Sequence, residues 1–211
     1  MTAIFSIQNQ KGGAGKTTLA VHLSYALATS EQRVLLIDSD PQGSARDWAA
    51  ARDSQPPFTV VGLDRPTIHR DLSSMASDYH FVVIDGPPRV SELARSGIIA
   101  ADLVVIPVQP SPYDVWAAQE VVNLIKEANV FKENLKSVFV INRKIVNTAI
   151  GRDVVEALSG FEIPVAKNHV CQRVGFAESA ARGQTVMETD PKGRAAKEIK
   201  ALVKELLEYV Q

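Results

Sequence analysis

Six short runs, AIFSI (3–7), RVLLID (33–38), FTVVGL (58–63), FVVIDG (81–86), LVVIPV (103–108) and SVFVIN (137–142), are apolar almost without interruption and rich in Val and Ile. A strand with one wet face alternates apolar and polar residues. A strand without alternation is covered on both faces, as in a parallel sheet held between two layers of helices. Segments of helical period lie between and after the runs, at about 16–29, 44–54, 67–77, 91–100, 112–128, 149–159 and 191–209. This repeated βα order predicts a three-layer, doubly wound α/β fold with a predominantly parallel sheet.

Two helix starts carry explicit signals. Ser111, Pro112 and Asp114 supply a capping serine, a proline at the first helical position and an acid two residues on; Asp190 with Pro191 repeats the scheme. No linker, low-complexity tract or internal repeat divides the chain, and 211 residues with 45% hydrophobic content suit one domain over 1–211. The first strand opens almost at residue 1, so no preceding helix-turn-helix domain is expected. The single cysteine, Cys171, excludes an internal disulfide or a centre built from several thiolates, and fits a reducing cytoplasm. No leader-like segment or apolar run of ~20 residues suggests export or a membrane span.

The stretch QNQKGGAGKTTLAVHL (8–23) follows the first strand. In the pattern GxxxxGK[ST], backbone N–H groups wrap phosphates, the lysine reaches the β and γ oxygens and the hydroxyl holds Mg²⁺. Gly15, Lys16 and Thr17 fit it, whereas Gln10 stands where the first glycine would be. Gly12, Gly13, Ala14 and Gly15 form the turn, and Thr18 follows on a helix whose N-terminus favours an anion.

Lys11 is a departure from that pattern. A lysine at the mouth of an anion site is often only a solvated charge, but with GGAGKTT it completes KGGxGKT[ST], the deviant Walker A signature. In this the sequence resembles the ParA/MinD superfamily of dimerising P-loop ATPases. The resemblance implies ATP and Mg²⁺ as cofactors and a lysine, here Lys11, that reaches across a two-fold interface to the partner's ATP. Such a cation acts like an arginine finger on the transferring phosphoryl group.

In LLIDSDPQGSA, Asp38 and Asp40 lie on the same side of a strand end, the end of an α/β sheet where ligands bind. The stretch resembles the family's DxDPQ motif, which implies that Asp40 orients the attacking water and that Asp38 lies near the metal shell. FVVIDGPP reads as a Walker B strand whose Asp85 emerges where a carboxylate can hold the hydrated Mg²⁺. By resemblance to small partition ATPases, Pro107 in IPVQPSPYD lies near the base and the dimer contact, and Asn142 ending VFVINR reads adenine. A strand-terminal turn is an alternative role for Asn142.

The family's branches differ in what they hold. Cys171 alone cannot supply the cluster ligands of the nitrogenase-type reductases. The last helix has Ile199, Leu202, Val203, Leu206, Leu207 and Val210 on one arc, which could serve as a MinD-like membrane anchor, but its wide aliphatic stripe favours core packing. Opposite that arc stand Arg194, Lys197, Lys200 and Lys204. Residues 165–211 carry a net +2 against −3 for the remainder, so attraction to nucleic acid must be local. A solvated face is the plain reading; a patch doubled by dimerisation would suit sequence-independent DNA contact. CQRVGFAESAARG also resembles the family segment where an arginine, here Arg173, meets DNA. The reading is a cytoplasmic, nucleoid-associated ParA-type partition ATPase: a homodimer that binds DNA nonspecifically and is released by a ParB-like adaptor, with no membrane contact. Its alternatives are a membrane-associated positioning ATPase and a small-molecule ATP-dependent ligase or kinase. The four histidines have no metal-ligand spacing.

Overall fold

The computed structural model describes residues 2–28, 31–146 and 150–210. Its strands are β1 (Ala3–Ile7), β2 (Val34–Asp38), β3 (Thr59–Gly62), β4 (Phe81–Asp85), β5 (Leu103–Val108) and β6 (Lys136–Ile141). The helices are α1 (Lys16–Leu27), α2 (Ser44–Ala50), α3 (Ile68–Met75), α4 (Glu92–Ala100), α5 (Pro112–Asn129), α6 (Ile150–Ser159), α7 (Val174–Ala180), α8 (Val186–Thr189) and α9 (Arg194–Val210). The strands form one sheet in the order β3-β2-β4-β1-β5-β6, and every pairing is parallel.

The uninterrupted apolar runs follow from this burial. Phe5, Leu36, Val83 and Val105 face the layer containing α1, α2 and α9. Their chain neighbours Val104 and Ile106 face α4, α5 and α6, while Leu35, Ile37, Val82 and Ile84 pack with Ile68 and Leu72 of α3. Both sides of each central strand are therefore dry, the condition under which alternation disappears. The apolar arc of α9 lies in the core: Ile199, Leu202 and Leu206 are 1–2% exposed and join Leu19 and Leu23 of α1 in one cluster.

Boundaries differ from the sequence reading where side chains intervene. Asp190 and Pro191 do not open α9. Gly193 N donates to Asp190 O at 3.0 Å in a turn, and the first helical bond runs from Lys197 N to Gly193 O. Ser111 is the N-cap of α5 with Pro112 at its first position, but its hydroxyl makes no capping bond. α2 ends at Ala50, short of 54, and residues 76–78 form a 3₁₀ turn after α3. The expected helix limits at 29 and 149 lie outside the described residues. Two short helices, α7 and α8, were not expected, although Thr185-x-x-Glu188 forms a complete capping box at the start of α8. Residues 164–172 run along the free edge of β6 through bonds such as Ala166 N to Phe139 O and Val170 N to Ile141 O, which covers an otherwise open sheet edge.

Candidate functional site

In this strand order the chain leaves the adjacent strands β1 and β4 toward different neighbours, and the crevice beyond their C-terminal ends is where α/β sheets bind ligands. Ile7, Asp85 and Asp38 sit at one level across β1, β4 and β2. The loop 9–15 therefore begins beside both carboxylates.

Side chains from distant segments strap that loop down. Asn9 Nδ2 donates to Pro107 O at 2.6 Å, and Asn9 Oδ1 accepts from Lys11 N at 2.8 Å. Gln10 Nε2 donates to Ala117 O of α5 at 2.9 Å, which gives the residue standing in the first glycine's place a structural task. Gln109 Nε2 donates to Gly13 O at 2.9 Å and Asn142 Nδ2 to Ala14 O at 2.8 Å. Gly13 and Gly15 have φ of 77° and 93°, a region that disfavours any side chain, and a Cβ on Gly15 would come within 2.2 Å of Asn142 Nδ2. Asn142 thus holds the loop with the amide expected to read adenine, and Pro107 lies buried in β5 with its carbonyl bonded to Asn9.

Lys16 is 7% exposed, and its Nζ points back to Lys11 O at 3.5 Å. Burial lowers its pKa, while Asp85 and Asp40 oppose the shift. Asp85 is fully buried, and neither carboxylate oxygen has a hydrogen-bond partner. Burial pushes its pKa up to about 7; Asp38 and Asp40 add to the rise, while Lys16 pulls the other way. A buried carboxylate with both oxygens open, beside a lysine and a threonine on a helix N-terminus, fits a hydrated cation carried in on phosphates. Mg²⁺ keeps several of its waters and takes few protein ligands, so a carboxylate and a threonine hydroxyl are enough for such a site.

Asp38, expected near the metal shell, is largely occupied at the start of α2. Its Oδ2 accepts from Ala45 N at 3.1 Å and Arg46 N at 3.0 Å, and Oδ1 accepts from Asp40 N at 3.2 Å. Asp40 closes the next turn, its Oδ1 accepting from Gln42 N at 2.9 Å.

Lys11 and Lys16 have different surroundings. The Lys11 side chain is 37% exposed, and its ammonium is bonded to Asp114 Oδ2 on α5. Asp114 is 1% exposed, and its Oδ1 is unpartnered. In the sequence Asp114 marks a helix start; its role as the lysine's counter-ion depends on α5 meeting the loop in space, which no local signal carries. Tyr113 and Trp116, 71% and 67% exposed, form an edge-on pair on the same turn. Thr18, Asn142, Cys171, Arg173 and Phe176 help line an open cavity of about 790 Å³.

Arg194, Lys197, Lys200 and Lys204 all lie exposed on α9. Arg173 is engaged instead by Glu198 of α9, with Nε to Oε2 at 3.2 Å.

Comparison with known proteins decides the lineage: the profile of the CobQ/CobB/MinD/ParA nucleotide binding domain matches residues 5–186. The chain belongs to this family. The ParA/MinD resemblance read from the signature lysine and the parallel α/β fold are both borne out. The chain is 30% identical over 206 residues to the maintenance of carboxysome distribution protein A of Halothiobacillus neapolitanus, covering 96% of this chain and 95% of that one. It is 29% identical over 252 residues to the sporulation initiation inhibitor protein Soj of Bacillus subtilis, covering 98% of each. In fold it matches cobyrinic acid a,c-diamide synthase of Mycobacterium smegmatis, solved with an ATP analog and magnesium, at a TM-score of 0.83 and 21% identity over 100% and 96% of the two chains. The ParA/MinD type within this family has partition and positioning roles, as the name of the carboxysome distribution protein reflects, whereas the synthase is matched in fold alone. Among the described residues of this member, no helix is long and apolar enough to cross a membrane.

Proposed function

We propose that this chain is a ParA-type positioning ATPase in which ATP and Mg²⁺ bring two copies face to face, each donating Lys11 to its partner's triphosphate. The observation that carries this reading is the division between the lysines: Lys16 is buried with its ammonium turned to a loop carbonyl, while Lys11 is part-exposed and held by Asp114. One cation serves the chain's own phosphates, and the other is left for a phosphate that arrives from elsewhere.

Mg²⁺, when bound, would supply positive charge to offset the negative charge on the transferring group. Thr17 and Asp85 would hold it, with Asp38 behind the same strand ends. The loop N–H groups from Gly12 to Thr18 cradle the phosphates, and Lys16 reaches the β and γ oxygens. Asp40 orients a water whose oxygen bonds the γ phosphorus as the bond to the bridging oxygen breaks, leaving ADP and inorganic phosphate. The adenine takes the cavity beside Asn142. The partner's Lys11 stabilises charge in that transition state, so turnover by a lone copy is slow and an adaptor can accelerate it. The exposed basic residues of α9, doubled in the dimer, supply weak, salt-sensitive contact with DNA phosphates. The apolar arc of α9 is spent on packing against α1, which weighs against a membrane anchor.

Light scattering with ATP, ADP and no nucleotide tests the reading, alongside DNA-mobility and vesicle-sedimentation assays. The expected result is an ATP-dependent dimer retained on DNA. A chain that stays monomeric with ATP, or a metabolite that accepts its phosphate, overturns the reading.

A further inference from the structure

Arg46, in the first turn of α2, makes contacts that reach beyond its own helix. Its backbone N donates to Asp38 Oδ2 at 3.0 Å, its Nε lies 3.4 Å from the same oxygen, and its Nη2 donates to Asp40 O at 3.3 Å. One side chain therefore joins the buried carboxylate at the end of β2 to the peptide of the second motif aspartate.

The guanidinium lies in a slot made by two glycines. A Cβ on Gly43 would come within 3.0 Å of Arg46 Nη2, and one on Gly62 within 2.9 Å of both Cδ and Nη1. Gly43 has φ 72° and needs glycine for its backbone alone. Gly62 does not: it is the last residue of β3, in register with Asp38, and a strand is a place where glycine is disfavoured. The space its missing side chain leaves is filled by Arg46. An exposed arginine ion pair normally contributes little because the side chain must give up its freedom. Here the planar group is already confined between two backbones, so its bonds cost less order to form.

Asp40 needs such support. The turn it opens is closed by Gly43 N donating to Asp40 O at 2.9 Å and by its own side chain on Gln42 N. Arg46 supplies a bond to the same carbonyl from outside the turn.

We propose that Arg46 is a positioning residue for Asp40: by tying the Asp40 carbonyl to the Asp38 carboxylate it fixes the 40–43 turn, and with it the direction from which the Asp40 carboxylate meets the attacking water. This rests on the ATPase reading above. Steady-state ATP turnover with Mg²⁺, measured beside the thermal midpoint, tests it in Arg46→Ala, Arg46→Lys and Gly62→Val. Arg46→Ala is expected to lower kcat about 10-fold, in line with the cost of small misplacements of reacting groups, with KM for ATP and the midpoint little changed. Arg46→Lys recovers part of kcat, because a single ammonium cannot span both acceptors. Gly62→Val places a good strand former in β3 and keeps or raises the midpoint, yet lowers kcat as Arg46→Ala does by evicting the guanidinium. Wild-type kcat in Arg46→Ala or Gly62→Val overturns the proposal, as does a fall in kcat that tracks the midpoint. A wild-type chain with no ATP turnover overturns the ATPase reading and this role together, whereas an active wild type matched by its variants overturns this role alone.

Discussion

At the scale of single residues, the informative contact is that between Lys11 and Asp114. A carboxylate that is 1% exposed and has one oxygen unpartnered holds its lysine firmly, because an unpaired buried charge is costly. Transfer of Lys11 to a partner's phosphate must break this bond. Asp114→Asn keeps the shape and removes the charge, so it is expected to tighten the ATP-dependent dimer by about 1–2 kcal/mol, some 10-fold in dissociation constant. Sedimentation at several protein concentrations measures this; an unchanged or weaker dimer contradicts it. The nucleotide loop itself was legible in the sequence because glycines at fixed offsets, Lys16 and Thr17 act within one turn of chain. The partners of that loop were not. The sequence places Asn142 at the site but does not show its amide bonded to Ala14 O, and it points to Arg173 as a DNA contact but does not show its pairing with Glu198. Both depend on contacts made across the fold.

At the scale of elements, a buried cluster joins α1, α2 and α8. His22 Nδ1 donates to Thr18 O at 2.7 Å and its Nε2 accepts from Val186 N at 3.1 Å, which together require a neutral ring. Trp48 Nε1 donates to Gln184 O at 3.1 Å, and Arg52 bonds Gly183 O at 2.7 Å and Glu188 at 2.8 Å. Burial lowers the His22 pKa to about 4 from 6.5, against the Thr18 bond and Glu188. Its folded pKa is depressed, so the unfolded chain binds the proton first. Stability is then complete above pH 6.5 and is lost as pH falls toward 4, by on the order of 3 kcal/mol from this group. Urea midpoints at pH 7.5 and 5.0 should converge in His22→Gln relative to the wild type, while equal pH dependence in the two contradicts the assignment. His169 is also lowered, by burial first and then by Lys144, and contributes to both chains alike. The long helices were readable from their period, but α7 and α8 were missed because each has few turns, even though the Thr185-x-x-Glu188 cap was present in the sequence.

At the scale of the whole molecule, the sequence pattern was enough for parallel strands buried on both faces, but not for their order or for the segment 164–172 along β6. Those are set by pairings between distant residues. The topology leaves α9 with its apolar arc on α1 and its basic residues in solvent. Charge reversal in Lys197→Glu with Lys200→Glu should abolish retention on DNA and flatten its salt dependence while leaving the ATP-dependent dimer intact. Retention equal to the wild type would move the DNA contact elsewhere. The central claim is that Lys11 acts on its neighbour's site, and mixing Lys11→Ala with Asp40→Ala chains tests it most directly. Each variant alone lacks one part of every site. In a mixed dimer the Lys11→Ala copy keeps Asp40 and receives Lys11 from its mate, so the account predicts that mixing restores about a quarter of wild-type ATP turnover, from half the dimers with one working site each. If the lysine served its own chain, neither copy could be completed, and a mixture as inactive as its two components would contradict the account.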